Sequence, residues 1–167
     1  GGTAAADAIF ETKILMNLAP HPNICQIYGI NGGGIDTFLA SGQKRFFIIT
    51  DCLSETLVDR LDLWREGKGY TESKDTDKVT IGGFRWNQRL EVALDIAAAL
   101  VYLHDRMLVY NVRPDKVGFD TRYGQIKLSN FSQVRQDGME NHASSITKSD
   151  DIKTLAYTAP EVLCKAA

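Results

Sequence analysis

The chain has 167 residues, 44% of them hydrophobic, and 19 Lys+Arg against 21 Asp+Glu leave a formal charge of −2. This suits one folded domain with a core and excludes both a disordered chain and a nucleic-acid binder working through a basic field. No run of about 18 apolar residues exists, so no transmembrane helix is expected, and the opening Gly1-Gly2-Thr3-Ala4-Ala5-Ala6-Asp7 lacks the order of a secretory signal.

Thr3 to Leu18 carries Ile9, Ile14, Leu15 and Leu18 near the helical period, and Ala19-Pro20-His21-Pro22-Asn23 ends it. Ile24 to Ile30 reads as a short strand and Asn31-Gly32-Gly33-Gly34 as a plain turn, since it lacks phosphate-loop spacing. Arg45 to Thr50, aromatic and β-branched, reads as a buried strand. Ser54 is the expected N-cap of a helix running through Leu61, and a charged, solvated loop follows over 65–84. The strongest helix runs from Trp86 to Met107, with Leu90, Leu94, Ala97, Val101 and His104 on one face. His104 there reads as a satisfied structural histidine. Lys116–Asp120 and Gln125–Ser129 are strand-like around Thr121-Arg122-Tyr123-Gly124, and the tract from Gln133 to Lys153 reads as a polar loop. Cys25, Cys52 and Cys164 are scattered and read as reduced thiols, and neither they nor His21, His104 and His142 have metal-ligand spacing.

Four landmarks in this order carry a family resemblance. Glu11 lies in a helix leading to His21-Pro22-Asn23-Ile24, and a strand ends at Thr50-Asp51-Cys52-Leu53. Val109-Tyr110-Asn111-Val112-Arg113-Pro114-Asp115-Lys116 follows the long helix, and Asn130-Phe131-Ser132 precedes a polar loop closed by Tyr157-Thr158-Ala159-Pro160-Glu161. The chain resembles the eukaryotic protein kinases, of the Ser/Thr-like branch, over nearly its whole length.

The resemblance implies an α+β, kinase-like fold: an N-lobe remnant over 1–50, a hinge over 51–54 and a partial C-lobe over 55–167, with an activation-segment equivalent over 133–158. The glycine-rich loop and strand lysine are not in this sequence, which reads as a fragment or truncated gene product with apolar surface left bare. By the same resemblance, Glu11 is the ion-pair glutamate, and Leu15 and Phe131 join a hydrophobic column between lobes. Thr50, Asp51, Leu53 and Gly118 are nucleotide-binding positions. Arg113 takes the place of the lysine that contacts the transferred phosphate. Ser144, Ser145, Thr147, Thr154 and Glu161 fall in the activation segment.

The departures bear on chemistry. Asn111 stands where the family has its catalytic aspartate, and an amide is no base at neutral pH. Asn130 stands at the metal-holding aspartate, and Lys116 puts a cation at the second metal position. ATP and Mg²⁺ are thus implied by the family but poorly served by these residues. The expectation is an intracellular, cytoplasmic pseudokinase that acts by binding another protein, a kinase or a substrate, without nucleic acid or membrane. An active Ser/Thr kinase and a gene remnant without activity are the alternatives.

Overall fold

The computed structural model describes residues 3–30, 35, 47–66, 78–136 and 156–157. Helix α1 (Thr3–Asn17) leads to a two-stranded antiparallel sheet, β1 (Ile27–Ile30) with β2 (Ile48–Thr50). Strand β3 (Leu53–Thr56) and helix α2 (Leu57–Glu66) follow, then the long helix α3 (Lys78–His104). Strand β4 (Leu108–Val109), a 3-10 turn at Pro114–Lys116, β5 (Val117–Asp120), β6 (Ile126–Leu128), a second 3-10 turn at Phe131–Gln133 and β7 (Arg135–Gln136) complete the order. The expected α+β class holds. Strands β3, β5 and β6 form one antiparallel sheet with β5 central, and β4 pairs with β7.

The core gathers Leu15, Ile24, Ala99, Leu103, Val117, Phe119, Ile126, Leu128 and Phe131. Its N-terminal part is tied in by the Pro-rich corner after α1. The Asn23 side-chain amide donates to the Ile126 carbonyl at 3.2 Å. The Leu128 N–H donates to the Asn23 carbonyl and the Cys25 N–H to the Leu128 carbonyl, each at 2.9 Å. The corner therefore satisfies its buried polar groups on β6, as burial demands.

Several expectations are corrected. Ser54 caps no helix: it sits in β3 and its hydroxyl donates to the Phe119 carbonyl. The cap belongs to Thr56 and Asp59, whose carboxylate accepts from both the N–H and the hydroxyl of Thr56. β2 is not a buried strand, because Phe47 and Ile49 are exposed. The 65–84 tract is not all loop: Arg65 and Glu66 end α2, α3 already runs from Lys78, and 67–77 lie outside the described residues. Gln133 to Gln136 form a turn and a strand, while 137–153 lie outside the described residues.

On α3, the face with the most regular apolar spacing points outward. Trp86, Leu90, Leu94 and Val101 are exposed, Leu94 at 70%, and so is His104, which is no buried structural histidine. The core instead takes Ala99 and Leu103, with Val92, Ile96 and Leu100 packed beside them. Periodicity finds a helix but does not say which of two apolar faces meets the core. The helix ends where Met107 adopts φ 58 and its N–H donates to the His104 carbonyl, a left-handed C-terminal stop.

Candidate functional site

The segment Leu108–Lys116 is held by its own sequence. Arg113 is extended (φ −143, ψ 146), as the residue before proline prefers, and Pro114 opens the 3-10 turn. Arg113 Nε and Nη2 each donate to Asp115, at 2.9 Å to the two carboxylate oxygens, a bidentate pair. Asp115 is held below the usual carboxylate range: burial alone would raise it, and the Arg113 hydrogen bond and charge outweigh that.

Lys116 is buried, 3% exposed. Its Nζ donates to Gln133 Oε1 at 2.8 Å and lies 5.8 Å from the Tyr110 ring centroid. Burial first, and the Arg113 charge second, push its pKa below the ordinary lysine value. The Lys116 carbonyl accepts from the Ser129 N–H at 2.8 Å, locking the end of β6 to the turn. The buried Tyr110 hydroxyl is shared between the Ser129 and Lys116 carbonyls. Burial, and then the Glu11 charge, raise its pKa far above that of free tyrosine, so it remains a neutral donor.

Asn130 adopts a left-handed conformation (φ 56, ψ 73), which asparagine tolerates better than most residues. Its Oδ1 accepts from the Ser132 hydroxyl at 2.7 Å. Phe131 next to it is fully buried, its ring centroid 5.0 Å from that of Tyr110. Glu11 Oε1 accepts the Phe131 N–H at 2.8 Å, so Glu11 is no idle surface glutamate. The structure thus joins Glu11, Tyr110, Lys116 and Phe131 in one cluster of hydrogen bonds and ring contacts, with Asn130 exposed beside it and Asn111 and Arg113 half-buried on the preceding loop.

Thr50 ends β2, Asp51 lies in the link to β3, Leu53 opens β3, and Gly118 lies within the neighbouring strand β5. Asp51 is occupied: its carboxylate accepts from the Gln26 N–H at 2.9 Å and the Tyr28 hydroxyl at 2.7 Å, and pairs with Lys127 Nζ at 3.2 Å. Its own N–H donates to the Gln26 carbonyl. Gly118 lies under Leu53: a Cβ there would stand 2.6 Å from Leu53 Cδ1 and 3.1 Å from Cγ. Leu53 therefore fills the room a side chain at 118 would take. Gly118→Ala should destabilise the fold by about 1–3 kcal/mol, as overpacking does. Urea denaturation checks this, with most of the loss recovered in Gly118→Ala/Leu53→Ala; equal stability of Gly118→Ala and wild type would contradict it.

No local spacing marks Lys127 or Gln133 in the sequence, because their partners lie 76 and 17 positions away. A lysine flanked by Ile126 and Leu128 in a strand was the available signal. Ser144, Ser145, Thr147, Thr154 and Glu161 lie outside the described residues.

A divalent ion does not fit this donor set. Asn111 and Asn130 offer neutral amides and Lys116 an ammonium, whereas Mg²⁺ is held through carboxylate oxygens. Among the described residues no group of three or more His, Cys, Asp or Glu side chains could hold a metal. Nor is any described helix long and apolar enough to cross a membrane.

No protein-family model matches the chain. It is 25% identical over 168 residues to a Caenorhabditis elegans protein named as ribosomal protein S6 kinase alpha-2, covering 95% of this chain and 18% of that protein. To an Arabidopsis thaliana protein named as serine/threonine-protein kinase PBL5 it is 29% identical over 159 residues, 91% of this chain and 31% of the relative. To the Arabidopsis thaliana protein named non-functional pseudokinase ZRK15 it is 37% identical over 98 residues, 56% of this chain and 26% of the relative. The chain spans less than a third of the length of each of these three relatives.

Proposed function

We propose, from the premise that the chain is a relative of the eukaryotic protein kinase domain, that it is a catalytically impaired kinase-like module that works by binding another intracellular protein. The observation that carries this reading is the set of side chains at the motif positions. Where phosphoryl transfer needs a carboxylate base and carboxylates on a metal, this chain has Asn111, Asn130 and a buried Lys116. Loss of general-base help alone is worth about 10²–10⁴ in rate. Protein binding draws support from the outward apolar face of α3, since contiguous exposed apolar surface commonly marks interaction sites.

The test is a phosphoryl-transfer assay on the full-length protein with Mg²⁺-ATP and a generic protein acceptor. No transfer above background is expected. Transfer that disappears in Asn130→Ala would overturn the reading in favour of an active Ser/Thr kinase.

A further inference from the structure

We propose that the corner between α1 and β1 is an acid-sensitive latch, in which protonation of His21 breaks the hydrogen bond that shapes the corner and loosens α1 from β6. The His21 Nδ1 accepts the Asn23 N–H at 3.1 Å. This is the geometry of an Asx-turn with an imidazole in place of the amide oxygen, and it needs a lone pair on Nδ1. A neutral imidazole has one there when its proton sits on Nε2. An imidazolium has none: both ring nitrogens carry protons, and two N–H donors would face each other across the turn.

The surroundings give a cation no compensation. The charges that face His21 are Arg106, just past the end of α3, and Lys127 of β6, both positive. Asp51 is the nearest anion to Lys127 and is already engaged by it, at 3.2 Å. The Tyr102 ring of α3 lies 4.8 Å from the imidazole centroid and would favour a cation, but the Arg106 guanidinium already sits over it at 3.7 Å. The Tyr102 hydroxyl is committed to the Ala19 carbonyl at 2.7 Å. Burial first, then the Arg106 and Lys127 charges, hold the His21 pKa below its ordinary value.

What the turn shapes is the docking of α1. Asn23 and Cys25, directly after it, carry the bonds to Ile126 and Leu128 of β6. Helix α1 enters the same corner, and its Glu11 holds the Phe131 N–H. The closed corner therefore takes up a proton at His21 less readily than the open one. The stability contributed by the neutral ring is complete above the unfolded pKa, about 6.5, and is lost as pH falls through the lower folded value. That loss begins about two units above the ordinary carboxylate range, so it separates from carboxylate titration along the pH axis.

NMR of the ¹⁵N-labelled chain from about pH 7.5 to about pH 5 tests this. The His21 ring should titrate below about 6.5, and the Asn23 N–H resonance should move with the same midpoint. Loss of one hydrogen bond should speed hydrogen exchange at the Cys25 and Leu128 amides about 2- to 10-fold at the acid end, after correction for the intrinsic pH dependence of exchange. His21→Asn puts an acceptor that does not titrate close to the Nδ1 position, so exchange at these amides should be the same at both ends of the range. His21→Ala should give the faster exchange at both. A His21 midpoint at or above about 6.5, exchange at Cys25 and Leu128 that acid leaves unchanged, or an equal acid response in His21→Asn would overturn the proposal. The first two measurements need only the wild-type chain, so they decide the matter even where a variant fails to fold. None of these results bears on phosphoryl transfer, and the impaired-enzyme reading is tested apart from them.

Discussion

Phe131→Ala should cost the fold about 3–5 kcal/mol, the range for emptying a fully buried phenylalanine site. The ring is completely buried, and it meets Tyr110 while sharing the core with Leu15 of α1 and Leu128 of β6. These neighbours come from separate elements, each fixed by hydrogen bonds, so they cannot collapse into the void cheaply. The cost approaches the whole stability of a typical domain, about 5–15 kcal/mol. Urea denaturation followed by circular dichroism measures it, and Phe131→Leu should lose far less. The backbone N–H that Glu11 holds is unaltered in both variants, so the loss reports packing and not the polar link. A loss below about 1 kcal/mol would show that the ring does not anchor this part of the core.

Asp51→Ala should be comparably severe, at about 3–5 kcal/mol, because it strands a buried cation. Lys127 is nearly buried in the middle of β6, and its charge partner is Asp51. The same substitution removes the acceptor of the Gln26 N–H and the Tyr28 hydroxyl. Asp51→Ala/Lys127→Met should recover most of the loss, since deleting both charges costs less than deleting one. Burial alone would raise the Asp51 pKa, but the Gln26, Tyr28 and Lys127 hydrogen bonds outweigh it and hold the carboxyl below its usual value. Its contribution is therefore complete above the unfolded pKa, about 3.9, and is lost as pH falls through the lower folded value. Wild-type stability should fall below about pH 4, with a shallower acid limb in Asp51→Ala.

Short-range chemistry was legible in the sequence. The Ala19-Pro20-His21-Pro22-Asn23 corner, the proline-led turn at Pro114 and the Thr121–Gly124 hairpin turn each contain their own cause, and each lies where the sequence places it. The resemblance to protein kinases was legible because its motifs are local strings in a fixed order. What escaped depends on distant partners. Leu53–Thr56 carries ordinary residues for a strand or a helix start, and only pairing with β5 decides for the strand. The apolar face of α3 with the more regular spacing turns outward, and Ala99 and Leu103 meet the core instead, because spacing within one helix carries no information on which face the distant strands will cover. At the candidate site, residue identities were visible at Asn111, Lys116 and Asn130. The burial of Lys116 and the capture of the Phe131 N–H by Glu11 were not, since both require α1 and the second 3-10 turn to be seated.

The bond from Glu11 to Phe131 spans 120 positions and that from Asn23 to Ile126 spans 103. During synthesis at about 5–20 residues per second, the first helix and its corner emerge roughly 6–24 s before their anchors exist. Through that interval Leu15 and Ile24 lack the core partners they have in the fold, which leaves apolar surface open to aggregation or chaperone capture. Docking of the first helix and its corner therefore has to wait until β6 and the second 3-10 turn have been made.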